Sequence, residues 1–86
     1  MKKIVFSRHA LLKIEILRSH SLIVSEELIE KVIEFPDKID YGYKERIVVQ
    51  KEFDSEHVLR VVYEDFPEYV LIITLYPGRK ARYEKD

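Results

Sequence analysis

The chain of 86 residues contains no cysteine. That excludes a disulfide scaffold, thiol chemistry and a cysteine-ligated zinc site. Glycine occurs twice and proline three times, against 47% hydrophobic residues. A sequence of that composition folds rather than staying disordered. No apolar run is long enough to span a bilayer, and the N-terminus lacks the apolar stretch of a signal peptide. A cytoplasmic location with no membrane partner is therefore expected. Asparagine is absent, Gln50 is the lone glutamine, and charged residues make up 36%. Loss of thermolabile residues with gain of Glu, Lys and Arg is the pattern of thermophile proteins. Phosphate-binding glycine loops, dinucleotide fingerprints, nucleophile elbows and a His-Glu-x-x-His pair are all missing. His9 and His20 are too far apart on one helix to share an ion. No cofactor and no metal are expected.

What is present is unevenly placed charge on a chain of net charge −1. In residues 1–20, Lys2, Lys3, Arg8, Lys13 and Arg18 face only Glu15. In residues 79–86, Arg79, Lys80, Arg82 and Lys85 face Glu84 and Asp86, while the stretch between is acidic. If folding brings the two ends together, a basic cleft forms on a neutral protein and attracts phosphate or an acidic partner.

The length allows one domain, residues 1–86, with a single core. Lys3–Phe6 reads as a short strand. Ser7 follows as an N-cap for a helix from Arg8 to Ser19, with Ala10, Leu11, Ile14 and Leu17 at helical spacing. Leu12 and Ile16 add a second apolar strip, which suits a helix wedged between a sheet and another helix. Ser25 caps a second helix with Glu26 and Glu27 in its first turn and Leu28, Ile29, Val32 and Ile33 as its apolar stripe. Pro36 ends it. Period two then takes over in strands 38–43, 45–53, 58–63 and 69–76. Asp54–His57 and 64–68 are turns, and Pro77-Gly78 is a strand break before a basic tail that reads as an edge strand or a strand end. The short turns imply an antiparallel meander. The expected fold is α+β, with two N-terminal helices packed on one face of an antiparallel sheet.

On a helical wheel His9, Lys13 and His20 share a sector. A histidine with a lysine on one exposed stripe can serve phosphodiester chemistry, as acid or base and as charge stabiliser. The tail interleaves Arg79, Lys80, Arg82 and Tyr83, and such residues chelate phosphate and stack on bases. His57, beside Asp54 and Glu56, reads as an exposed hairpin turn.

Phe6-Ser7-Arg8-His9-Ala10, the Ser25-capped helix ending Phe35-Pro36-Asp37-Lys38-Ile39, and the strands Leu59–Tyr63 and Ile72–Pro77 resemble a family of small prokaryotic proteins known as a domain of unknown function. That family is grouped with RelE-like and BrnT-like toxins. The resemblance implies a compact sheet with two N-terminal helices, and a ribonuclease or translation inhibitor silenced by an antitoxin. The family's Ser-x-His-Ala motif falls on Ser7, His9 and Ala10, and its basic helix positions on Lys13 and Arg18. The chain departs from the family in lacking a glycine before the second helix, where it carries Leu17–Val24, and in its acidic middle.

Two functions follow as expectations. One is metal-independent RNA cleavage or a block on the ribosome, with His9, Lys13, Arg79, Arg82 and Tyr83 around one cleft and Arg8, Arg18 and Lys80 binding RNA. The other is a non-catalytic module that homodimerises or binds a partner through the basic cleft or a sheet edge.

Overall fold

The computed structural model describes residues 2–84, with the elements in the order β1 (Lys3–Phe6), α1 (Arg8–Ser19), α2 (Glu26–Glu34), β2 (Lys38–Tyr41), β3 (Ile47–Glu52), β4 (His57–Asp65), β5 (Tyr69–Arg79) and α3 (Lys80–Tyr83). The tail residues Lys85 and Asp86 lie outside the described residues. The architecture is α+β: one five-stranded sheet in the order β1-β5-β4-β3-β2, with three helices.

Both N-terminal helices are set by their caps. Ser7 Oγ accepts from the Ala10 N–H at 3.0 Å, and Ser25 Oγ accepts from the Leu28 N–H at 3.1 Å. Each satisfies one of the donors that a first helical turn leaves unpaired. Helix α1 closes through Ser21, whose φ of 65° is left-handed. The Leu22 N–H reaches Leu17 O and the Ser21 N–H reaches Arg18 O, both at 2.9 Å. This is the Schellman arrangement, in which glycine normally occupies the left-handed position. Helix α2 ends at Phe35, as the following proline requires.

The apolar stripes of α1 and α2 meet one face of the sheet. Ala10, Leu17, Ile29 and Val32 join Val49, Leu59, Val61, Val70, Ile72 and Leu75 in one buried cluster. Residues alternate across a strand, so Gln50, Val58, Arg60, Tyr76 and Gly78 project from the opposite face. β4 and β5 form the long central hairpin, closed by a turn in which the Phe66 and Tyr69 rings stack with centroids 4.8 Å apart.

Four expectations are corrected. The sheet is mixed, because β1 lies parallel to β5, from Lys3 opposite Tyr69 to Phe6 opposite Ile72. Short turns dictate antiparallel pairing only for the strands they join, and β1 is joined to a helix. Secondly, β5 runs through Pro77-Gly78 to Arg79. β1 covers only its first four residues, so the distal half of β5 is an edge, where proline's missing N–H is tolerated. Thirdly, the tail forms the short helix α3, so the helices are not confined to the N-terminal half. Finally, α1 is not wedged. Leu12 and Ile16 are 56% and 43% exposed, and no helix covers them.

A bulge ties α1 to the sheet. Thr74 lies opposite Val62 but Ile72 lies opposite Tyr63, which leaves Ile73 as the extra residue. Ser7 uses both consecutive carbonyls there: its N–H donates to Ile72 O at 3.0 Å and its hydroxyl to Ile73 O at 2.7 Å.

Candidate functional site

The turn from β3 to β4 is built around the Asp54 carboxylate. Its Oδ1 accepts from the Glu56 N–H at 2.8 Å and from the His57 N–H at 2.7 Å. The same carboxylate lies 2.9 Å (Oδ1) and 3.1 Å (Oδ2) from His57 Nδ1. A carboxylate only accepts, so Nδ1 carries a hydrogen, and in the neutral ring the lone pair sits on Nε2. The Glu56 N–H, and after it the side-chain bond from His57, hold the Asp54 carboxyl below the usual aspartate value. The carboxylate stays charged throughout the neutral range.

Register brings a cation to this pair. His57 lies opposite Arg79 at the end of the β4–β5 ladder, and directly opposed residues project from the same face as near neighbours. The Lys80 N–H donates to Glu56 O at 2.9 Å, which ties the start of α3 to the hairpin tip. Between them lies a cleft of about 340 Å³ lined by Ser55, Glu56, His57, Arg79, Lys80 and Ala81. The two bases in it are in different states. Lys80 donates to Glu52 Oε2 at 2.7 Å, and that bond raises its pKa above the usual lysine value. Arg79 is exposed and has no ion pair among the described residues. It is the cation with donors to spare for an anionic ligand.

On the uncovered face of the sheet, α3 folds back over a second group of polar residues. Arg60 is 8% exposed, and its donors are occupied. Nη1 bonds Gln50 Oε1 at 2.6 Å, Nε bonds Tyr76 Oη at 3.0 Å, and Nη2 lies 3.5 Å from Asp40 Oδ2. The Tyr83 ring centroid lies 4.4 Å from the guanidinium carbon, and Gln50 Nε2 donates to Tyr83 O at 3.1 Å. A Cβ on Gly78 would overlap Cδ2 and Cε2 of Tyr83, so glycine makes the slot that the ring occupies. Arg82 reaches the same ring, with its guanidinium carbon 5.6 Å from the centroid. Arg60 is thus a paired, stacked cation that holds α3 down, whereas Arg82 remains exposed at the rim.

The residues singled out in the sequence are therefore divided. Arg79 and Lys80 line the cleft, while Arg82 and Tyr83 lie beside Arg60, one short helix away. His9 and Arg8 are exposed on the first turn of α1. Arg18 sits 4.0 Å from Glu15, with both side chains exposed. No hydrogen bond, ion pair or ring contact among the described residues joins His9 or Lys13 to Arg79, Arg82 or Tyr83, and neither lines the cleft. Of the Ser-x-His-Ala motif, Ser7 and Ala10 have structural roles: a cap that pins the bulge, and a fully buried core position.

Sequence reasoning took Asp54 and His57 for an exposed turn and did not single out Arg60. The signal for the first two was their spacing, because an aspartate three residues before a histidine in a tight turn can bond the ring. Arg60 was visible as a lone charge inside the apolar run Val58–Tyr63. Comparisons with protein-family models, curated proteins and solved structures find no match to this chain.

Proposed function

We propose that this chain binds RNA and acts as a toxin-like ribonuclease or translation inhibitor, of the kind its resemblance to RelE-like and BrnT-like proteins implies. The single observation that supports this best is Arg79, without an ion pair among the described residues, lining a cleft that also carries an oriented histidine. A phosphodiester needs a bidentate cation for its non-bridging oxygens, and arginine supplies one. Lys80 lines the same cleft, and the exposed Arg82 continues the cationic surface around α3. His9 and Lys13 are not required by this reading. RNA is the substrate class, free or on the ribosome, and an antitoxin is the partner that such an activity implies.

The alternative, a non-catalytic interaction module, is favoured by a different observation. Leu12 and Ile16 on α1, and Ile39 and Tyr41 on the edge strand β2, are large apolar side chains left exposed. Tightly induced expression in a bacterial host separates the two. Growth arrest with loss of bulk RNA or of protein synthesis, relieved by Arg79→Ala/Arg82→Ala, supports the RNA-directed reading. Normal growth with soluble, folded protein at a temperature where the chain is active gives the ground to the interaction module.

A further inference from the structure

We infer that His57 is the general base of this protein, deprotonating the ribose 2′-hydroxyl of single-stranded RNA, and that Asp54 is its positioning residue. The inference rests on the RNA reading above and adds the reaction. Three features of the cleft lead to it. The ring is held through Nδ1 by both oxygens of Asp54, at 2.9 and 3.1 Å, so in the neutral imidazole the basic nitrogen is Nε2. The same carboxylate is fixed by two backbone N–H groups of the turn, so the pair is rigid before any substrate arrives. Arg79 stands directly across the ladder, lines the same cleft and has no ion pair among the described residues. His9, in contrast, has no partner among the described residues that fixes its ring.

The charged groups around His57 come from three elements. Asp54 and Glu56 lie in the hairpin, Arg79 is exposed at the end of β5, and Lys80 from α3 donates to Glu52. A phosphate seated on Arg79 brings its own negative charge into this set.

The step balances without a further reagent. Nε2 takes the 2′-hydroxyl proton as O2′ forms a bond to phosphorus, and Arg79 stabilises the charge on the non-bridging oxygens. The bond from phosphorus to O5′ breaks, its electron pair leaves on O5′, and that oxygen takes a proton from water in the open cleft. The products are a 2′,3′-cyclic phosphate and a 5′-hydroxyl, and the imidazolium returns its proton to solvent.

The test uses the full chain and a short fluorescein-labelled single-stranded RNA, with binding read by anisotropy and cleavage read on gels. A 2′-O-methyl version of the same strand serves as the uncleavable control. The wild type is expected to bind both strands and cleave only the first, leaving the cyclic phosphate end. His57→Ala should keep its affinity within about threefold and lose about 100-fold or more in kcat. His57→Gln repeats the test in a side chain closer in size, and added imidazole should restore part of the lost rate. Asp54→Asn, which keeps an oxygen acceptor for the turn, should reduce kcat with little change in KM. Cleavage by His57→Ala at the wild-type rate overturns the inference, as does Arg79-dependent binding of RNA that the wild type leaves intact. In that second outcome the RNA reading stands and only the base is lost. Absence of any RNA binding removes both.

Discussion

Replacing Ser7 with alanine removes two hydrogen bonds of different kinds at one point. The first is the helix cap to the Ala10 N–H, at 3.0 Å, and loss of such a cap costs about 1 kcal/mol. The second is the hydroxyl bond to the bulge carbonyl of Ile73, at 2.7 Å and half-buried, and its loss leaves an acceptor short of a partner for about 1 kcal/mol more. Ser25→Ala provides the control, since Ser25 caps α2 through an exposed bond and its hydroxyl donates to nothing else. The expected destabilisation is about 2 kcal/mol for Ser7→Ala against about 1 kcal/mol for Ser25→Ala. Urea unfolding followed by circular dichroism measures both, provided the slope m is unchanged. In a domain of this size the Ser7 variant should also melt roughly 8–16 °C below the parent. Equal losses in the two variants would show that the bulge bond contributes nothing, and the account of how α1 is anchored would fail.

Three further outcomes are expected. Ser21→Gly, at a φ of 65°, should raise stability by about 1 kcal/mol, because glycine enters the left-handed region without steric cost; a destabilised variant in urea would contradict the Schellman assignment. Gly78→Ala should drive the Tyr83 ring from its slot, which hydrogen exchange would register as lost protection over residues 80–84 with the β3–β4–β5 amides unchanged. Unaltered exchange there would mean that the ring does not depend on the glycine. The third concerns pH. The Asp54 carboxyl is held below its ordinary value of 3.8, so the folded state binds fewer protons than the unfolded state in the acid range. Its contribution is fully present above that value and is lost as pH falls through the lower folded value. Asp54→Asn should therefore narrow its stability deficit against the parent as the pH drops below about 4, and a constant deficit in acid urea titrations would refute the linkage.

Local signals in the chain were sufficient for both long helices, for their serine caps and for the central hairpin. Each of these depends on neighbours within a few positions: a cap and the amide it serves, a stripe at period 3.6, an alternating run. The strands that carry Leu59, Val61, Ile72 and Leu75 were legible for the same reason. What escaped depends on pairing across long separations. Nothing near Lys3–Phe6 states that its partner is Tyr69–Ile72 or that the two run parallel. Nothing near Arg79 states that it faces His57. The helical form of residues 80–83 comes from tertiary anchors, the Gly78 slot and the Gln50 bond, rather than from propensity. The candidate site was half visible in consequence: the cations could be read from the tail, and the histidine that meets them could be placed only by the sheet register. The polar residues Gln50 and Arg60 are buried because the face they occupy is roofed by α3, which no local signal announces.

The pairing of β1 with β5 also bears on how the protein is made. Ile72 is added 66 positions after its partner Phe6, which at a typical elongation rate of about 5–20 residues per second is a wait of several seconds. During that interval the nascent chain holds its first strand unpaired, and α1 lacks the β5 surface on which Ala10, Ile14 and Leu17 come to rest. β2, β3 and β4 can associate meanwhile, since their ladders are complete without β5. Closure of the sheet waits for the last strand, and that strand ends in Arg79, opposite His57. The cleft cannot form before Arg79 is added, so the growing chain lacks it while it is attached to the ribosome by residues short of the end of β5.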